Sequence, residues 1–241
     1  MDQCNLIVVK YGTAYSADYV VNLFDGVKRH TEQPFQFYVF TDNTAGMPQD
    51  RGWHYIKLPE WTVGANGGWW YKMEIFNQQH GIYGRNLYID LDTVIVDDIA
   101  PFWHEIHTKD LYICRDFNRQ FIKQINKANS SVMGWRDNVL NPLFRDFATD
   151  IKKHMSKFRG DQDFIDAHQP AKIFWKDSWA MSWKWECWRG GKKNPTDYKF
   201  EELTTVIRPE TKILVFHGQP NPNVCDDRRI IDIWEGKIKY Y

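Results

Sequence analysis

The chain has 241 residues, 43% of them hydrophobic, with 31 basic and 31 acidic side chains and a formal net charge of zero. That length holds one generous domain or two small ones, and the apolar share builds a full core, which excludes wholesale disorder. A duplex-binding surface normally carries a basic excess, so the balance argues against a dedicated nucleic-acid binder while leaving room for a local patch.

In chain order, Asn5 to Val9 is a continuous apolar run of strand length. Ser16 can cap a helix whose Tyr19, Val20, Leu23, Phe24 and Val27 share one face at helical spacing. Phe35 to Phe40 reads as a strand ending at Thr41-Asp42, and Tyr55 to Leu58 as a short extended piece. Gly64 to Gly68 loosens the chain before a predicted helix from Trp69 to Gln79, and the strand Leu87 to Ile89 follows. Alternating strands and helices predict an α/β fold, a parallel sheet with helices on its faces. Residues 1–98 look like one nucleotide-binding half.

Residues 99–241 are more irregular. Leu111 to Cys114 and Ser131 to Met133 read as short strands, Val139 to Phe147 as a helix, and His154 to Arg159 as polar and helical in character. Gly160 opens another helix with Asp161 and Asp163 in its first turn, where acids are favoured. Residues 174–188 carry five of the 12 Trp residues and lead into a basic turn, Arg189 to Lys193. Large flat rings with a polar edge suit sugar rings and bases as well as cores. The strand Ile213 to Phe216 ends at His217-Gly218. With no internal repeat, low-complexity tract or linker, a single domain over 1–241 is expected.

Cys4, Cys114, Cys187 and Cys225 form no C-x-x-C pair and no zinc spacing, so reduced thiols are expected. No apolar run approaches the roughly 18 residues of a membrane span, and no signal peptide precedes the first strand, so a cytoplasmic protein is expected.

The most informative stretch is Arg85-Asn-Leu-Tyr-Ile-Asp90-Leu-Asp92-Thr-Val-Ile. Carboxylates one residue apart share a face at the end of a strand, and open α/β sheets place their ligands at strand carboxyl ends. Two hard oxygen donors there suit Mn²⁺ or Mg²⁺ bridging to phosphate. His217, also just past an apolar strand, is a candidate third ligand, and Gly218 leaves the backbone close to anything bound. Lys72 and Arg85 could neutralise a diphosphate, and Tyr11 and Tyr15 either stack on a base or pack in the core.

Taken together, these segments resemble glycosyltransferase family 8, the glycogenin- and lipopolysaccharide-galactosyltransferase-like enzymes of GT-A fold. The resemblance runs from Val8 to Pro222. Val8 to Tyr15 resembles the family's first strand and turn, and Lys72 to Thr93 its Lys-helix and D-x-D strand. Asn129-Ser-Ser-Val-Met133 and Asp161-Gln162-Asp163 are similar to its N-S-G-V and D-Q-D segments, and His217-Gly218 to its C-terminal histidine. Two departures stand out: Ser131 replaces a usual Gly, and Asn221 stands where the family has a phosphate-contacting Lys.

The resemblance implies a GT-A, Rossmann-like, mostly parallel sheet flanked by helices, and sugar transfer from a UDP-sugar to a glycan or other hydroxyl-bearing acceptor, with retention. A nucleic-acid acceptor stays open. Mn²⁺ or Mg²⁺ would lie on Asp90, Asp92 and His217. Donor contacts would come from Val9, Tyr11, Tyr15, Lys72, Arg85, Asp90, Leu91, Asp92, Asn129, Ser130 and Gly218. Lys72, Asp161 and Gln162 would act in catalysis, Lys72 by sharing developing charge and the other two by orienting the donor sugar and incoming hydroxyl.

Two rival readings compete. Asp90-Leu-Asp92-Thr-Val-Ile also satisfies the signature of haloacid-dehalogenase-like phosphatases, with Asp90 as nucleophile, and Gly160 to Asp166 mimics their late acidic motif. Such a nucleophile, however, should lie near the start of its domain, and the late motif should follow a buried strand. A non-catalytic glycan- or single-stranded nucleic-acid-binding protein would use the Trp-rich segment and the basic turn after it.

Overall fold

A computed structural model describes residues 2–61, 67–122, 124–189 and 204–239. The turn proposed at 64–66 and most of the basic turn, 190–193, lie outside them. The main sheet has seven strands. The first four in chain order are β1 (Cys4–Lys10), β2 (Gln36–Thr41), β3 (His54–Lys57) and β4 (Arg85–Ile89). After β5 (Thr93–Ile95) come β6 (Leu111–Arg115), β7 (Ala128–Arg136) and β8 (Lys172–Phe174). The sheet order is β3-β2-β1-β4-β7-β6-β8, and every strand except β7 runs in the same direction. The expected α/β architecture is therefore present, and strands from both sides of residue 98 lie in one sheet.

β1 reads as an unbroken apolar run because a central parallel strand is covered on both faces. Leu6 and Val8 pack on one side, with the buried face of helix α1 (Ala17–His30), and Ile7 packs on the other. Helix α2 (Ala100–Glu105) joins the first face. Helices α3 (Asn141–Thr149) and α5 (Asp161–His168) cover the second, and α4 (Ile151–Lys157) lies between them in sequence.

Three local expectations change. Ser16 precedes α1, but its side chain caps no backbone N–H; its hydroxyl lies 3.2 Å from the Asp18 carboxylate instead. The helix expected from Trp69 to Gln79 is two 3₁₀ turns, Gly68–Phe76 and Gln78–His80. Trp70, Tyr71, Met73, Glu74, Ile75 and Phe76 are all buried, so this segment needs partners on nearly every side rather than along one stripe, and packing overrides the ordinary helical winding. The side chain of Asn77 then accepts from the Gln79 N–H, and Gly81, at φ +66°, ends the second turn. The strand expected at Ser131–Met133 extends over nine residues, because it pairs with β4 on one side and β6 on the other.

A smaller sheet positions the site. It consists of β5, β9 (Ala180–Ser182) and β12 (Ile213–Val215), with β12 in the middle, antiparallel to β5 and parallel to β9. A two-stranded ribbon, β10 (Trp188–Arg189) with β11 (Thr204–Thr205), and helix α6 (Arg228–Trp234) complete the described elements. In the Trp-rich segment, Trp175, Trp179 and Trp183 are core residues, and the Trp175 indole N–H donates to the Val132 carbonyl. Gly134 is glycine for the same reason: a Cβ there would lie 2.7 Å from the Trp175 ring. These three rings therefore serve the core, whereas Trp185, 36% exposed, is turned outward. The four cysteines are free and buried. Among the described residues, no helix is long and apolar enough to cross a membrane.

Candidate functional site

β4 ends at Ile89, and Asp90 and Asp92 follow at the carboxyl edge of the sheet. Two backbone registers fix them. The Asp90 N–H donates to the Ser131 carbonyl, continuing the β4–β7 ladder, and the Phe216 N–H donates to the Asp92 carbonyl, continuing β5–β12. The doublet thus sits where the two sheets meet.

A cleft of about 900 Å³ opens there. Its walls include Val9 on β1, Tyr11 and Tyr15 after it, Lys72 on the 3₁₀ turn, and Asp90, Leu91 and Asp92. Seven residues named from sequence therefore share one cavity. Tyr11 heads an aromatic stack, 4.3 Å from the Tyr71 ring, which lies parallel to Trp61 at 5.1 Å. Its ring both packs and lines the cleft.

The Lys72 ammonium is nearly enclosed. It lies 2.9 Å and 3.1 Å from the two Asp90 carboxylate oxygens, 3.2 Å from the Ser130 hydroxyl and 3.6 Å from Asp161. Burial opposes its charge, but the carboxylates of Asp161 and Asp90 outweigh that and push its pKa up. Asp161 is 4% exposed and accepts from the Ser130 hydroxyl at 2.8 Å; burial still raises its pKa, against the pull of Lys72. Gln162 stands beside this group, its Oε1 accepting from the Ser130 N–H at 3.4 Å. The Asn129 side chain accepts from the Ser131 N–H at 3.0 Å and so shapes the β7 backbone.

Asp92 is also buried. Burial, then the charge of Asp90, raises its pKa to about 6, against a hydrogen bond from the Gly218 N–H at 3.3 Å. Gly218 has φ +95°, a conformation suited to glycine. His217 is brought next to Asp92 by its backbone, but its ring is engaged elsewhere. Nε2 is 2.6 Å from the Ser182 hydroxyl, and the ring stacks on Phe117 at 5.3 Å. Burial, then Lys184, lowers its pKa to about 4, so the imidazole is neutral. Among the described residues, no three His, Cys, Asp or Glu side chains gather as a metal-binding cluster. As it stands, the donor set for a cation is the pair of carboxylates, with the imidazole held off by Ser182.

Arg85 corrects the sequence reading. It begins β4, the full strand away from Asp90, roughly 16 Å at strand rise. There its guanidinium lies 3.5 Å from the Asp2 carboxylate and donates to the Trp103 carbonyl. A residue at the amino end of a parallel strand faces the edge opposite the ligand site.

Tyr88 and Lys184 are among the residues that escaped the sequence reading. The Tyr88 hydroxyl donates to Asp90 at 2.6 Å. Residues two apart share a strand face, so the alternation that flagged the doublet also pointed to it. Lys184 lies in a π-helical turn, Trp183–Cys187, its ammonium 3.4 Å from the His217 carbonyl. Only the β9–β12 pairing brings it to the doublet, and no local pattern announces that. The acidic motif a phosphatase would need does not follow a strand here: Asp161 begins α5 directly after helix α4.

No family model matches the chain, and no curated protein does. Solved structures do. The glycosyltransferase GlyE of Streptococcus pneumoniae TIGR4 superposes with a TM-score of 0.66 at 13% identity, over 97% of this chain and 60% of that one. The galactosyltransferase LgtC, solved with donor and acceptor sugar analogues, gives 0.63 at 12%, over 97% and 96%. WbbM, a bifunctional glycosyltransferase, gives 0.63 at 10%, over 97% and 50%. The chain thus spans about 60% of GlyE but nearly all of LgtC. The sheet order, the carboxylate doublet at its edge and these likenesses together give the chain a GT-A glycosyltransferase fold that resembles family 8.

Proposed function

We propose that the protein is a glycosyltransferase that moves a sugar from a nucleotide diphosphate sugar, a UDP-sugar, to an acceptor hydroxyl with retention of configuration. The observation that carries this reading is the cleft at the carboxyl end of β4, where Asp90 and Asp92 lie beside the turn after β1. In this fold the base and ribose would lie against Tyr11 and Tyr15, and the diphosphate against the doublet.

The doublet suits Mn²⁺ or Mg²⁺: two hard oxygen donors, one buried and repelled by the other, gain from a divalent cation between them. Asp90 and Asp92 would hold it, with His217 joining on release from Ser182. Bound there, it would supply Lewis-acid stabilisation of the departing diphosphate.

The remaining roles belong to the chain. With its donors taken by Asp90, Ser130 and Asp161, Lys72 serves first as the strut that sets those carboxylates, rather than as a free charge for phosphate. Asp161 and Gln162, anchored on Ser130, would orient the donor sugar and the incoming hydroxyl, a contribution made through placement. The acceptor class is a glycan or another hydroxyl-bearing molecule.

A thermal-shift screen of nucleotide sugars with and without Mn²⁺ tests this reading. At a hundredfold excess over Kd, a ligand of the native state adds about 2.7 kcal/mol. For a chain of this size that is a rise of roughly 5–10 °C. A UDP-sugar with Mn²⁺ is expected to give it, and Mn²⁺ alone much less. No shift with any nucleotide sugar would contradict the proposal.

A further inference from the structure

Lys72, the cation first suggested by sequence for the diphosphate, is saturated by its own protein partners. An incoming diphosphate would still meet three carboxylates, Asp90, Asp92 and Asp161, and charge neutralisation has to come from another direction as well. The opposite flank of the doublet supplies it.

Lys184 stands on that flank. Its turn is pinned on its other sides: the Trp183 ring stacks on Phe216 at 4.9 Å, Cys187 is buried, and Glu186 pairs with the Arg119 guanidinium at 2.8 Å. The Lys184 ammonium is left facing the segment that closes on Asp92. It reaches the His217 carbonyl at a long 3.4 Å, and a Cβ built on Gly218 would lie 3.7 Å from it. Asp92 supplies the carboxylate charge that acts on it, yet among the described residues Lys184 has no salt-bridge partner. A half-buried ammonium held by anchored neighbours, short of a counter-ion and one glycine away from the carboxylate doublet, matches the needs of a phosphate oxygen.

Resting on the transferase reading above, we propose that Lys184 is a diphosphate-binding residue of the donor site. It grips the nucleoside diphosphate from the side opposite Lys72, past Gly218, whose φ of +95° is a backbone conformation suited to glycine.

The test is binding by wild-type protein, Lys184→Ala, Lys184→Gln and Lys184→Arg, in Mn²⁺, to UDP and to uridine. CDP, ADP and GDP with their nucleosides run in parallel to admit another base. Calorimetry serves the diphosphates and ligand-observed NMR the nucleosides. Lys184→Ala and Lys184→Gln are expected to weaken the diphosphate roughly tenfold or more, the scale of one charge-assisted contact. They leave the nucleoside unchanged, and Lys184→Arg restores most of the loss. Diphosphate affinity equal to wild type in both neutral variants overturns the assignment while leaving the transferase reading intact. So does an equal loss for diphosphate and nucleoside, which marks a structural role. If wild-type protein binds none of the four diphosphates, the transferase reading falls and this assignment with it.

Discussion

Asp92→Asn is expected to lower turnover by on the order of 10²-fold or more and, in the unliganded protein, to leave stability unchanged or raise it. The loss follows from removing half of the charge that would hold a cation against the leaving diphosphate. The stability effect comes from the same geometry. Asp92 is buried beside Asp90, and its pKa is raised from 3.8 to about 6. A carboxylate with a folded pKa above its unfolded value binds protons more tightly when folded, so its ionised form opposes folding at neutral pH. Asn keeps the shape and can still accept from the Gly218 N–H, but carries no charge. Activity, measured with the nucleotide sugar selected by thermal shift, should therefore fall with no loss of stability in denaturant unfolding, as expected where a site is built at the expense of stability. Unchanged turnover would remove Asp92 from the mechanism; a large loss of stability would contradict the account of its burial.

Lys72→Ala is expected to destabilise the fold by ~3 kcal/mol or more, because breaking a buried pair strands the remaining charge. Here two carboxylates are stranded, and Asp161, 4% exposed, is deeply enclosed. At this chain length the melting temperature should fall by at least roughly 6 °C. Restoring neutrality discriminates the cause: Lys72→Met combined with Asp161→Asn should recover part of the loss, since the residues share one network. A single variant within ~0.5 kcal/mol of wild type would mean that Lys72 is not the strut proposed above. Activity should fall in both variants, because Asp90 and Asp161 lose their alignment.

Much of this arrangement was written locally. Apolar runs bounded by turns marked β1, β4 and β12 with ends close to those observed, since strands buried on both faces carry little else. The doublet was legible because its position just past a buried strand is a property of adjacent residues. The resemblance to a known family then matched separated segments to one fold. What could not be read depends on tertiary neighbours. The 3₁₀ turns around Lys72 arise from burial on nearly all sides, and the tryptophans after Phe174 look alike in sequence whether they line a core or a groove. The ring of His217 turns to Ser182 because β9 lies beside β12, a pairing between segments more than 30 residues apart. Lys184 was missed for the same reason. Arg85 was misplaced by sequence proximity: five residues of strand carried it to the far edge.

The central claim concerns where a cation and a nucleotide meet the protein, so the most direct measurement is a crystal structure of the protein with Mn²⁺ and UDP, the metal located by its anomalous scattering. The account predicts a peak within coordination distance, roughly 2 Å, of carboxylate oxygens from both Asp90 and Asp92, with the diphosphate against it and the base near Tyr11. A nucleotide bound elsewhere on the molecule, or a metal peak away from both carboxylates, would contradict it.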